Sequence, residues 1–253
     1  MMMADYKQIL KDISGLICYW DFEGNEPLCS KGPYNYVLIE GNGSIEFDKE
    51  DVATRNAADL KEGQYFYIKR EDCPALNIHG PEAQITVLSW VKRQLKSYNQ
   101  CEAVAGMWNE TEKLRQYCLF LNLHMHDSAD QVCGHISGVG GPTPGQKWCM
   151  DAAIGNDPVV YNQWSFAGFT YDSKMIRSYL NGQLDSRAET NPYSYREGIF
   201  DGGSGGSDFT VGAVHRLGEM GNNFVGQIGF IAVFNRALTD SEIEQIYKIK
   251  KYF

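Results

Sequence analysis

Short runs in which apolar and polar residues alternate dominate the chain, and a period of two is the signature of a β-strand. Residues 16–22 (LICYWDF) put Leu16, Cys18, Trp20 and Phe22 on one face. Residues 65–69 and 85–91 (ITVLSWV) are rich in β-branched and aromatic side chains and read as strands. Residues 119–126, 164–171, 175–180, 209–214 and 227–234 follow the same rule. Trp20, Trp90 and Trp164 fall in these patterns and are expected in the core. Turn signals separate the runs at 41–43, 77–81, Asp172-Ser173 and Asn181-Gly182; Asn-Gly marks a hairpin because both turn positions need a positive φ. Only the end reads as a helix: Thr239 to Glu242 (TDSE) forms a capping box, followed by an apolar stripe of Ile243, Ile246 and Tyr247. Many short strands with one late helix predict an all-β, two-sheet antiparallel sandwich with a short C-terminal helix, and residues 1–253 are expected to form one domain.

Charge and cysteine content narrow the partners. The net charge of −9 disfavours nucleic acid and acidic membranes, which attract basic surfaces. Seven cysteines without a CxxC pair disfavour a zinc knuckle. The polar start (MMMADYKQILKDISG) has no apolar stretch of the kind a signal peptide carries, and no transmembrane run is present. The Gly-rich stretches 134–147 and 201–207 read as surface loops, or as binding loops at the rim of a sandwich.

Four segments carry a resemblance. LICYWDFEG (16–24), ITVLSWVK (85–92), QWSFAGFTYDSKMIRSYLNGQL (163–184) and FVGQIGFIAVFNRALTDSEIEQIY (224–247) resemble, in this order, segments of the laminin G-like jelly-roll modules of the concanavalin A-like lectin and glucanase superfamily. The resemblance implies a jelly roll and a secreted or cell-surface setting. It also implies one of three roles: carbohydrate binding, protein binding, or a spacer on an enzyme. The family often has Asp where this chain has Gly229, so a calcium role for that position is lost. Residues 95–160 match nothing in the pattern, and specificity is expected there.

That region holds the richest constellation. If residues 127–130 close a hairpin, His126 faces Gln131, His124 faces Cys133 and Asn122 faces His135, with cross-strand Cβ atoms ~5 Å apart. Phe120, Asn122, His124, His126 and His135 then share one face, with Trp108, Trp148 and Tyr161 beside it for stacking. Imidazoles, an amide and aromatic rings suit an oligosaccharide or polysaccharide. A solvated polar face and a His/Cys transition-metal site are the alternatives.

Elsewhere, Glu46, Asp48 and Glu50 have the ExDxE spacing of jelly-roll endoglucanases, giving a glycoside hydrolase reading; Asp48 with Glu23 also offers oxygens for calcium. No nucleophile elbow, P-loop or dinucleotide fingerprint is present. A non-catalytic glycan-binding module is therefore the leading expectation, with a protein-interaction or structural module as the alternative and hydrolysis behind both.

Overall fold

The computed structural model describes residues 6–48 and 56–250. They form two packed sheets, as the alternation requires. The first runs Gln183–Leu184, Met175–Leu180, Ser165–Tyr171, Ile85–Arg93, Gly226–Phe234, Ala57–Leu60, Glu46–Asp48, and Leu16–Trp20 also pairs with Gly226–Phe234. The second runs Ala152–Pro158, Gln131–Ile136, Leu114–Leu121, Glu102–Asn109, Phe209–Val211, Tyr65–Ile68, Ile39–Gly41. A small hairpin of Val214–Arg216 and Glu219–Gly221 joins Glu102–Asn109 through a single parallel pairing, His215 with Asn109. Among the described residues, no helix is long and apolar enough to cross a membrane.

The strands alternate between inner and outer faces, and three apolar clusters result. Cys18, Trp20, Phe22, Val87, Met107, Tyr117, Leu119, Phe169 and Val211 belong to the cluster between the sheets. On the outer face of the first sheet, Leu88, Trp90, Phe166 and Phe230 pack beneath Leu10, Ile13, Ile243 and Ile246 of the two terminal helical segments. On the outer face of the second sheet, Trp108, Cys118, Phe120 and Cys133 form a smaller cluster with Cys149 and Val214, and among the described residues loops and the small hairpin pack against it.

Most predicted strands appear where the alternation put them. Trp20 is fully buried, Trp90 is buried, and Trp164 packs half-buried against the helix-covered cluster. The capping box is formed: the Thr239 amide donates to Glu242 Oε2 at 2.9 Å and the Glu242 amide donates to Thr239 Oγ1 at 3.3 Å, opening the helix Asp240–Lys250. Three expectations are corrected. A bulge between Leu16 and Cys18 turns Leu16 to the helix-covered side, away from Trp20 and Phe22. A helix at Tyr6–Asp12 precedes the first strand. The run 119–126 is not a strand beyond Leu121: Asn122, His124, His126 and Asp127 all have positive φ, near 50–60°, and turn the chain into a loop.

Candidate functional site

The loop after Leu121 decides the geometry of the outer face of the second sheet. Leu114–Leu121 pairs with Gln131–Ile136 so that Cys118 faces His135 and Phe120 faces Cys133. A hairpin closed by residues 127–130 places His135 opposite Asn122; the observed partner lies four residues earlier because the loop is longer. Four is even, so His135 still points to the outer face, as expected, but its neighbours are not the other histidines.

His135 lies against the Trp108 indole, with ring centroids 4.4 Å apart, and edge-on to Phe120 at 5.8 Å. It is 4% exposed, and neither ring nitrogen has a hydrogen-bond partner. Burial drives its pKa down to about 3, the nearby Arg115 charge pushes the same way, and the backbone at Cys149 opposes. The ring is a neutral imidazole that makes no well-formed hydrogen bond.

Around it opens a cleft of about 270 Å³. Trp108 and His135 form its apolar side, Leu123 and Met125 of the loop pack against the same cluster, and Trp148 stands at the rim, 45% exposed. His124 reaches the cleft as an exposed side chain whose Nε2 lies 2.8 Å from Asn99 Oδ1. The polar groups come from distant parts of the chain. Glu110 accepts from Trp108 Nε1 at 3.3 Å and from Asn222 Nδ2 at 3.1 Å, and sits 3.5 Å from Arg216 Nε. The buried Arg115 lies over the Trp108 ring at 5.9 Å and donates to the Gly140 carbonyl at 3.2 Å. The lining thiols are held protonated by burial, Cys101 at about 12 and Cys149 at about 11. All seven cysteines are free.

Of the residues picked out in the sequence, Trp108, His124, His135 and Trp148 meet in this cleft. Phe120 lies buried beneath it rather than in it. Asn122 is buried in the loop, its side-chain amide donating to the Gln100 carbonyl at 3.3 Å. His126 is exposed but outside the cleft, because its left-handed backbone breaks the strand that would have carried it there. Tyr161 belongs to a different cluster, beneath the Arg93 guanidinium at 4.0 Å and bonded to Arg93 and Asp130. Glu110, Arg115, Arg216 and Asn222 carried no local signal in the sequence, since their meeting depends on register and on the small hairpin.

The acidic expectations separate from the site. Glu46 is exposed on the edge strand of the first sheet, opposite Asp59, and Glu50 lies outside the described residues. Asp48 ends that strand, while Glu23 lies 3.8 Å from Lys7 Nζ. Among the described residues no group of three His, Cys, Asp or Glu is gathered to hold a metal, and calcium finds no support at Glu23 and Asp48. The His/Cys metal alternative fares no better: Cys133 faces Phe120, and burial pushes its thiol to about 12.

Comparison with known proteins agrees with this architecture. A sequence search of curated proteins finds no match. Among solved structures, domain 4 of AbnA, a GH43 extracellular arabinanase from Geobacillus stearothermophilus, in complex with arabinotriose, aligns at 16% identity. Its TM-score is 0.56, over 92% of this chain and 98% of that one. The ligand-binding domain of botulinum neurotoxin serotype D in complex with N-acetylneuraminic acid aligns at 13% identity and TM-score 0.61, over 96% of this chain and 52% of that one. The binding domain of botulinum neurotoxin DC in complex with rat synaptotagmin II aligns at 12% identity and TM-score 0.61, over 96% and 53%. The chain thus spans about half of those toxin domains, and the likeness is one of fold. In sequence, a laminin G-like family model described as the concanavalin A-like lectin/glucanases superfamily matches residues 61–244. With both sheets and the matched segments in place, the chain belongs to the concanavalin A-like lectin/glucanase superfamily.

Proposed function

We propose that the chain is a non-catalytic carbohydrate-binding domain that holds an oligosaccharide in the cleft between Trp108 and Trp148. The observation that carries this reading is Trp148, a large aromatic ring 45% exposed at the rim of a cleft bordered by directional polar groups. A sugar presents apolar C–H faces and a periphery of hydroxyls; an indole supports the former, and Glu110, Arg115, Arg216 and Asn222 match the latter. Solved relatives in fold that hold arabinotriose and N-acetylneuraminic acid support the same class of ligand. Glu110 is the one carboxylate among the lining residues, and glycoside hydrolysis by the usual routes needs two, which argues against hydrolysis.

The test is a broad glycan array followed by titration calorimetry. Binding in the millimolar-to-micromolar range is expected, as for shallow, wet sites. Trp148→Ala should weaken it by about 2- to 10-fold, the worth of one aromatic stacking contact, while stability changes by no more than about 0.5 kcal/mol at so exposed a position. A blank array, or unchanged affinity in Trp148→Ala, rejects this cleft as the site. A protein partner is the second reading. Leu217, 78% exposed on the hairpin beside the cleft, favours it, as does the fold relative bound to synaptotagmin II. Loss of a protein partner with Leu217→Ser, at unchanged glycan affinity, would establish it.

A further inference from the structure

The outer face of the second sheet carries another cleft, of about 380 Å³, on the other side of the small hairpin. The hairpin is the ridge between the two: Arg216 lines the first cleft, while His215 and Met220 line the second, and Trp108 contributes to both. The floor of the second follows from strand register. Thr210 pairs with Tyr67 on one side and with Gly106 on the other. Tyr65 and Tyr67 lie on the same strand two residues apart, so both rings stand on the outer face beside Thr210; they are half-buried, with centroids 6.2 Å apart. Gly106 brings no side chain, because an added Cβ would meet the Tyr117 carbonyl and the Cys118 backbone of the neighbouring strand.

At the bottom is an unsatisfied group. Thr210 is 7% exposed, its Oγ1 is buried, and that oxygen has no hydrogen-bond partner. A buried hydroxyl without a partner costs about 1–3 kcal/mol, and a fold keeps one where something else supplies the bond. We propose that this second cleft is a further carbohydrate subsite that takes a neutral sugar unit, stacked on Tyr65 and Tyr67 and hydrogen-bonded to Thr210. The class of sugar follows from the lining. Glu112 and Asp208 are the carboxylates among the described residues that line it, and no Lys or Arg is among those residues, the Arg70 guanidinium lying behind Gly206, so a uronic or sialic acid is disfavoured here. The first cleft, with Arg115 and Arg216, has no such bias. The inference rests on the carbohydrate reading of the outer face but does not require the first cleft to be occupied.

The experiment uses the intact chain and neutral glucan, mannan and arabinan tetrasaccharides, with a tetrasaccharide of glucuronate as the anionic counterpart, read by calorimetry and by NMR amide shifts. In wild type, the neutral probe that binds should shift amides at Tyr65, Tyr67 and Thr210, and the glucuronate probe should not. In a Trp148→Ala background, residual neutral binding should remain and fall a further 2- to 10-fold, approximately, with Tyr67→Ala. Because Tyr67→Ala can disturb the sheet, Thr210→Val is the second variant. It removes the orphan hydroxyl without changing side-chain shape, so it should keep or raise the unfolding midpoint while costing about 2- to 10-fold in affinity. No binding of any probe by wild type overturns both this subsite and the carbohydrate reading. Binding that is indifferent to Tyr67→Ala and Thr210→Val overturns the subsite alone. Binding that is indifferent to Trp148→Ala but lost with Thr210→Val upholds the subsite and moves the carbohydrate reading out of the first cleft.

Discussion

At the scale of single residues, the outer face turns on polar groups kept without partners. His135 shows the consequence most directly. Its folded pKa is about 3, against about 6.5 for an unfolded histidine. Between those values the unfolded chain holds a proton that the folded chain does not, so stability falls as pH drops below 6.5, by about 1.4 kcal/mol per pH unit. At pH 4.5 the loss through this group is roughly 2–3 kcal/mol. His135→Phe keeps an aromatic ring between Trp108 and Phe120 and removes both unpaired nitrogens; its stability at pH 7 should match or exceed wild type, and it should lack this part of the acid slope. Urea unfolding of the two proteins at pH 7 and 4.5 measures the difference, and parallel losses would show that the imidazole is not buried neutral. Because His135 stays neutral throughout that range, any change between pH 5 and 7 in affinity for the proposed sugar ligand must come from another group. Trp108, Trp148, His124 and His135, picked from the sequence by residue type, line one cleft. What was not legible is which atoms are satisfied, because that depends on neighbours such as Arg115 and Phe120 brought in by register.

At the scale of elements, alternation located the strands but not where one of them ends. Residues 119–126 alternate as a strand does, yet the backbone leaves the sheet after Leu121, and Leu123 and Met125 fold back onto the apolar cluster around Trp108. An alternating pattern cannot distinguish a strand from a loop that docks every second side chain, since both bury the same positions. The left-handed residues provide a test. His126 is exposed, has φ of 51° and lies outside the first cleft. Glycine adopts that conformation without the Cβ penalty, so His126→Gly should leave stability unchanged or raise it by up to about 1 kcal/mol, with sugar affinity unaffected. In a strand the same change would cost about 0.5–1 kcal/mol, so a clear loss in urea unfolding would restore the strand. The C-terminal helix, by contrast, was readable down to its cap, because a capping box is a local signal that needs no tertiary partner.

At the scale of the whole molecule, the sandwich is asymmetric. Terminal helical segments seal the outer face of one sheet, while loops and a hairpin leave the other with two clefts. One buried cluster ties the sheets together at the edge of the open face. Arg93, at the end of a strand of the first sheet, donates to both carboxylate oxygens of Glu102, at the start of a strand of the second, at 3.0 and 2.7 Å. The same guanidinium reaches Asp130 at 2.7 Å, the Val159 carbonyl at 3.1 Å and Tyr161 Oη at 2.8 Å, so it also anchors the loop that carries His124. Both side chains of the central pair are essentially inaccessible to solvent. Arg93→Met leaves Glu102 buried, with Lys96 at 3.8 Å as the remaining cation, and should cost about 3–5 kcal/mol. Replacing both partners, Arg93→Met with Glu102→Leu, removes the stranded charge and should recover most of that loss, since apolar side chains often replace a buried ion pair at little cost. The double variant still lacks the bond to Asp130, and if the first cleft binds sugar as proposed, that affinity should stay reduced when stability has returned. Urea midpoints together with calorimetry separate the two roles: equal losses in the single and double variants would mean that the pair contributes through packing rather than charge, and full recovery of affinity would mean that the loop is held by something other than Arg93.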